Sequence, residues 1–321
     1  MRVVAITVGQ ANAGSTRFRI MQYLPYLVSE GVELQTIPQD ELDSSSLDLV
    51  RSADVVINQK CLLKRSVARE IVGASQRLIF DFDDAIYTRP GKPYSWLTQW
   101  RVLSRYRYWL KAADVVTVAN AELAKSAKKY AQDVQVLPMG INLTDWQPKQ
   151  RLNDEQFRIG WVGAPNNLVY LERLDPVLQS LCKRFPNIRI SVFSGQKPNL
   201  SCPFEYVPFI PGGEVDFIQK LDVGLLPMED DEYSRGKSPI KAIQYLACGV
   251  PVVGNFVGAA NEICNDSNSL KVSTDWEQGI ATLAADQGLR ERLGAAGRRH
   301  IELHHDADKL GKRLKDIFKG H

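Results

Sequence analysis

Short apolar runs of the kind that fill a sheet buried on both faces recur along this chain, and the stretches between them carry helical spacing. VVAIT, DVVIN, RLIFDF, DVVTVA and VQVLP succeed one another through the first 138 residues, separated by segments such as Arg19 to Glu30. Strand alternating with helix predicts a parallel sheet with helices on its faces. After Pro138 the stretch MGINLTDWQPKQRLNDEQ is polar, carries Gly140 and Pro148, and has no apolar period, so it reads as a connection. A second series follows with RIGWVG, IRISVFSG, FEYVPF, VGLLPM and VPVVGNF, and helices are expected around Tyr170 to Phe185, Glu214 to Lys220 and Ile240 to Cys248. A helical pattern then runs from Asp286 to Phe318, interrupted at His304 and His305. The expected fold class is α/β, with two Rossmann-like domains whose parallel sheets face a central cleft. Residues 1–145 and 146–300 form the two domains, and residues 301–321 form a C-terminal helix packing back towards the first.

The composition is that of a globular chain, with 44% hydrophobic and 24% charged residues, and this excludes a fibrous or largely disordered class. MRVVAITVGQ lacks the apolar length and small-residue cleavage site of a signal peptide, and no stretch approaches a membrane span. Five scattered cysteines without a CxxC pair suggest neither a disulfide framework nor zinc, so a reducing cytoplasm is expected. The net charge of +3 conceals a concentration between Lys60 and Lys111, where eleven basic residues face four acidic ones. That excess fits either a solvated face or an anionic partner, including the inner face of a membrane. Within it, Trp96, Trp100, Leu103, Trp109 and Leu110 are interleaved with Arg101, Arg105 and Arg107. The same pattern suits an interfacial helix or a helix packed on the sheet.

The segment with the most chemistry is Ser234 to Asn255, SRGKSPIKAIQYLACGVPVVGN, a basic loop entering a helix and leaving it through Gly249 and Pro251 into a buried strand. Pro239 suits a first helical turn, whose free amides and positive dipole end favour phosphate. Lys237 and Lys241 add full charges there, while an ordinary helix capped by Ser238 is the plainer alternative. In the first half, VGQANAGSTRFR follows the first strand and offers Gly14, Arg17 and Arg19 as phosphate or acceptor contacts, where an open α/β sheet presents ligands. DFDDAIY puts Asp81, Asp83 and Asp84 at another strand end, where like charges repel and one pKa rises. One of the three is a candidate base or sugar-hydroxyl contact, with a helix N-cap by Asp84 or a structural turn as the plainer alternative.

RIGWVGAPNN, LDVGLLPM, GKSPIKAIQYLACGVPVV and LRERLGAAGRRHIE together resemble the retaining nucleotide-sugar glycosyltransferases of family 4, which have the GT-B architecture. RFRIMQYLPYLVSEGVE and VLPMGINLTDW are similar to that family's first helix and its strand-to-linker segment. The resemblance implies a retaining transfer of a sugar from a nucleotide diphosphate donor to a glycan or lipid-linked acceptor, as in polysaccharide biosynthesis. Donor binding would fall to Gly163, Asn166, Lys237, Ser238, Pro239, Ile240, Lys241 and Gln244, with Lys237, Asp83 and Asp84 at the chemistry. Two family glutamates eight positions apart correspond here to Gly236 and Gln244, so neither carboxylate is present, and GKSPIK marks the branch that the loop matches. Gln244 keeps an amide oxygen for the donor ribose. No cofactor or metal is called for, no nucleic acid is expected as partner, and peripheral contact with an anionic membrane is. The absence of G-x-G-x-x-G after either first strand disfavours a nicotinamide enzyme. The alternatives are an epimerase or phosphorylase of the same architecture and a non-catalytic sugar-nucleotide binding protein.

Overall fold

The computed structural model describes residues 1–91, 93–149 and 155–320; Lys92 of the basic stretch and residues 150–154 of the polar connection lie outside the described residues. The chain divides into two compact units. Unit 1 comprises Met1–Asn142, Asp231–Ser238 and His305–His321, and unit 2 comprises Leu143–Asp230 and Pro239–His304. The short piece Asp231–Ser238 therefore groups with the first unit, although it sits in the middle of the second by sequence.

Unit 1 is built on six parallel strands, β1 (Arg2–Thr7), β2 (Glu33–Pro38), β3 (Val55–Gln59), β4 (Leu78–Phe82), β5 (Val115–Val118) and β6 (Val134–Val136), in the order β2-β1-β3-β4-β5-β6. Every residue of β3, β4 and β5 is buried, as helices on both faces of a parallel sheet require. The helix Ala307–Lys319 belongs here: Ala307, Leu310, Leu314 and Phe318 share a core with Val3, Tyr23, Leu27 and Ile57. The helical pattern of the tail is not continuous. One helix, Gln287–His304, ends in unit 2, and the chain enters the next through His305, which is buried and bonded through Nδ1 to the Met139 carbonyl at 2.9 Å.

Unit 2 repeats the plan with β7 (Phe157–Gly163), β8 (Ile188–Ser194), β9 (Glu205–Pro208), β10 (Val223–Leu226), β11 (Val252–Gly254) and β12 (Ser269–Lys271). The order is β12-β11-β10-β7-β8-β9 with all pairs parallel, the doubly wound arrangement in which the first strand lies in the middle. Ile159, Trp161, Leu178, Leu181, Ile190, Val223 and Ile280 fill its core. In such sheets ligands bind beyond the carboxyl ends of the strands where the order reverses. That rule selects the ends of β1 and β3 in unit 1 and of β7 and β10 in unit 2.

Candidate functional site

In unit 2 the reversal point is occupied by Gly163, Trp161 and Lys241. The helix Ile240–Ala247 starts with Pro239 at the capping position and no side chain capping its first turn, so neither the Ser238 cap nor a proline inside the first turn is found. The first-turn amides of Ile240 and Lys241 precede the first intrahelical acceptor and point along the positive end of the dipole. The Lys241 ammonium lies over the Trp161 ring, 3.9 Å from its centroid. A Cβ on Gly163 would meet that ammonium at 2.5 Å and the Trp161 ring at 2.4 Å. Glycine is thus required at the end of β7 because an indole and a lysine head crowd the backbone, and the lysine is brought to the strand end instead of trailing into solvent. Asn166 follows in the short 3-10 turn Pro165–Asn167, and Gln244 is a turn further along the Lys241 helix, buried to 3% exposure.

In unit 1 the ends of β3 and β4 carry a polar chain. Gln59, fully buried, donates through Nε2 to Ser15 Oγ at 3.1 Å and accepts from the Val8 amide at 3.3 Å. Ser15 in turn donates to Asp83 at 3.2 Å. Lys60 Nζ lies 2.7 Å from an oxygen of Asp83 and 2.7 Å from one of Asp84, clamping the two carboxylates. Its backbone adopts φ 48°, the left-handed region that a non-glycine residue enters at a cost, and its amide donates to the Asp81 carbonyl at 2.7 Å. Burial alone would raise the Asp83 carboxyl, but Lys60 and the Ser15 hydroxyl bring it below its ordinary value. Burial and the charge of Asp83 push Asp84 upward, against the pull of Lys60 and Lys237. Burial would favour a neutral Lys60; the two aspartates outweigh it and raise its pKa.

Arg19, expected to grip a phosphate, has a different task. It is 1% exposed, its Nε and Nη2 donate to Asp81 at 2.7–2.9 Å, and its Nη1 donates to the Leu137 carbonyl at 2.5 Å. A guanidinium inside a core must spend its donors on protein acceptors, and all three nitrogens of this one are bonded to them. Asp81, which also accepts from Thr117 at 2.5 Å, is its partner and is withdrawn from the carboxylate group as well. Arg17 stacks on Phe18 at 4.4 Å, and Gly14 opens the helix Gly14–Arg19 with open space where a Cβ would stand.

The basic loop is split. Gly236, Lys237 and Ser238 are part of unit 1, where the Gly236 carbonyl accepts from Asn120 Nδ2 at 3.0 Å and the Ser238 amide donates to the Asp83 carbonyl at 3.1 Å. Lys237 lies over the Tyr233 ring, and burial lowers its pKa against the raising influence of Asp84. A Cβ on Gly236 would meet Ala85 Cβ at 3.0 Å and Leu123 at 3.1 Å. A glutamate there would need Ala85 and Leu123 to give by a few tenths of an ångström. Gly236→Glu should overpack this contact and lower stability by roughly 1–3 kcal/mol without a gain in turnover. Urea denaturation and a donor-hydrolysis assay on the same preparation would check it; an unchanged midpoint would show that the space exists.

Lys60, Ser15 and Gln59 were absent from the sequence-derived site. The available signal was a lysine directly after a fully buried strand adjacent to the order reversal. Among the described residues no group of three His, Cys, Asp or Glu side chains is placed to hold a metal. A cavity of about 520 Å³ in unit 2 lies at the opposite, amino ends of β7 and β10. Its cations are engaged structurally, Lys149 with Asp222 at 3.0 Å and Arg290 and Arg298 with helix carbonyls, so the strand ends remain the candidate.

No family model and no curated protein matches the chain. Solved structures do. Sucrose-phosphate synthase from Thermosynechococcus elongatus superposes with a TM-score of 0.75 at 14% identity, over 100% of this chain and 98% of that one. Anabaena HepE, solved with UDP and glucose, gives 0.72 at 12% identity over 100% and 99%. An α-glucosyltransferase solved with UDP and a 13-mer DNA gives 0.66 at 13% identity over 99% of each chain. The fold is GT-B. At these identities the likeness carries the GT-B fold alone, and the chemistry has to be argued from the side chains.

Proposed function

We propose that this GT-B chain is a glycosyltransferase that uses a nucleotide diphosphate sugar, of the retaining type that the sequence resemblance to family 4 implies. The observation that carries the reading is the Lys241 ammonium held beside Gly163 at the order reversal of unit 2, next to uncapped helix amides. A cation, a close-approach glycine and the positive end of a helix are the three elements that a diphosphate needs. Gln244 takes the ribose hydroxyls, and Asn166 lies at the sugar end.

Transfer breaks the bond between the anomeric carbon and the diphosphate oxygen and forms one to an acceptor hydroxyl, whose proton leaves to the departing phosphate. The raised pKa of Asp84 suits a group that must hold a proton, whereas Asp83, held ionised by Lys60, suits a hydroxyl acceptor. Within unit 2, Lys241 stabilises the leaving charge electrostatically. The acceptor is a glycan or a lipid-linked glycan, and the setting is the cytoplasm; no described helix is long and apolar enough to cross a membrane.

The structural neighbours make UDP-glucose the first donor to try. UDP and UDP-glucose are expected to raise the melting temperature with a term logarithmic in concentration, and nucleoside monophosphates to do so far less. Sugar release should then depend on an acceptor, and the product anomer read by NMR should match the donor. Gly236 and Gln244, standing where the family has glutamates, favour the second reading of a binding protein. Stabilisation by donor with no turnover over an acceptor panel would select it, and conversion of donor alone would select an epimerase.

A further inference from the structure

The helix Trp96–Ala112 presents two unlike faces. Tyr106, Trp109 and Leu110 are buried, with Trp109 stacked 5.9 Å from Phe80 of β4. Trp96 and Trp100, by contrast, are 78% and 69% exposed, and Leu97 beside them is 50% exposed. Large apolar side chains in water at that level, three within five positions, need an explanation that a core helix does not give. At about 100° per residue, Trp96, Trp100, Arg107 and Lys111 fall in one narrow stripe along the helix. Arg101, Arg107 and Lys111 are exposed, and Arg65 on the preceding helix Arg65–Ala74 lies over the Tyr108 ring at 3.8 Å. Among the described residues none of these four cations has a carboxylate partner within 4 Å. A groove of about 340 Å³ runs between Arg65, Trp100, Arg107, Tyr108 and Lys111. From Ala85 to Ala113 the sequence contains six Lys and Arg residues and not one Asp or Glu.

We infer that this face of unit 1 docks on an anionic lipid surface, with Trp96, Leu97 and Trp100 entering the interface and Arg65, Arg107 and Lys111 taking lipid phosphates. The choice of partner rests on complementarity of two kinds at once. An aromatic end with an adjoining cationic groove matches a plane that is apolar beneath and anionic above. The run from Ala85 to Ala113 carries no carboxylate over 29 consecutive positions, so this helix sets nothing against a lipid phosphate. The inference stands independently of sugar transfer, since it uses no residue assigned to the donor or to the carboxylate pair.

Co-sedimentation with vesicles of phosphatidylglycerol mixed into phosphatidylcholine, against phosphatidylcholine alone, tests it directly. Binding is expected to the anionic vesicles at low salt and to weaken well above physiological ionic strength. Each cation near an anionic surface is worth about fivefold in partitioning, so Arg107→Ser with Lys111→Ser should weaken binding by roughly twentyfold. Trp96→Ser with Trp100→Ser should weaken it by about tenfold or more, and the tryptophan emission of the unaltered chain should shift to the blue on binding. All four side chains are exposed, and circular dichroism melts of the variants should overlay that of the parent. No binding to anionic vesicles at low salt overturns the proposal. So does binding that survives the paired tryptophan substitution, equal binding to neutral vesicles, or a dimer in solution that the same tryptophan substitutions dissociate. Thermal stabilisation by UDP is measured on the same variants, so failure of docking and failure of the donor reading are told apart.

Discussion

Lys60→Met should be the most damaging single change in unit 1, lowering stability at pH 8 by roughly 3–5 kcal/mol, because it strands two buried carboxylates that one ammonium now holds together. Asp83 and Asp84 each lie 2.7 Å from that ammonium. With it gone, both cannot stay ionised in the same small volume, and one must take up a proton. The pH dependence follows with a definite sign. In the parent chain the depressed pKa of Asp83 supplies stability at pH above the ordinary carboxylate range, and that stability is lost as pH falls through the depressed value. The raised pKa of Lys60 supplies stability below the ordinary lysine range, lost only in strong alkali. In the variant the folded carboxylate pair binds more protons than the unfolded chain, so stability should rise as pH falls from 8 to 5. Urea titrations at the two pH values check this. A variant as stable as the parent at pH 8, or one whose stability falls on acidification over that range, would show that Lys60 is not the clamp.

Lys241→Ala should reduce affinity for UDP by about a hundredfold while leaving the fold intact, the size expected when a charge-assisted contact to a diphosphate is lost from a preformed site. Calorimetric titration at two salt concentrations is the measurement. The parent should lose affinity with salt more steeply than the variant, since one ionic contact has been removed. Lys241→Arg retains charge but not the compact head that fits over Trp161 beside Gly163, and should fall between the two. Equal UDP affinity in parent and alanine variant would move the diphosphate away from the end of β7.

The two series of apolar runs were legible as strands, and all ten lie in the two parallel sheets; the central ones, such as β3, β4 and β10, are buried on both faces. β2 and β12 were not, for a shared reason. Both are edge strands, Glu33–Pro38 half-exposed and Ser269–Lys271 only three residues long, so neither carries the unbroken apolar run that marks a central strand. The site was legible where it is local. Gly163 and the Lys237–Lys241 loop stand out as sequence, but the contact of Lys241 with Trp161 forms only when two strands and a helix meet. Arg19 shows the same limit from the other side: an arginine opening toward a strand end reads as an anion grip until Asp81, 62 positions away, is found against it. Lys60 is the clearest case, because its meaning comes from β3 and β4 ending side by side. The tryptophans of the helix Trp96–Ala112 formed one pattern in the sequence, whereas the structure gives Trp109 to the core and Trp96 and Trp100 to the surface.

The helix Ala307–Lys319 completes the core of the unit that starts at Met1, and this sets the timetable of synthesis. On a ribosome the first six strands emerge early but must wait with Val3, Tyr23 and Leu27 uncovered until nearly 180 further residues have been added. Unit 2 has its helices, the last of them Gln287–His304, and both halves of its sheet available before then. The half that is made first is therefore the half that closes last, and a nascent chain stalled before Ala307 would offer chaperones and proteases an open apolar floor in an otherwise finished molecule.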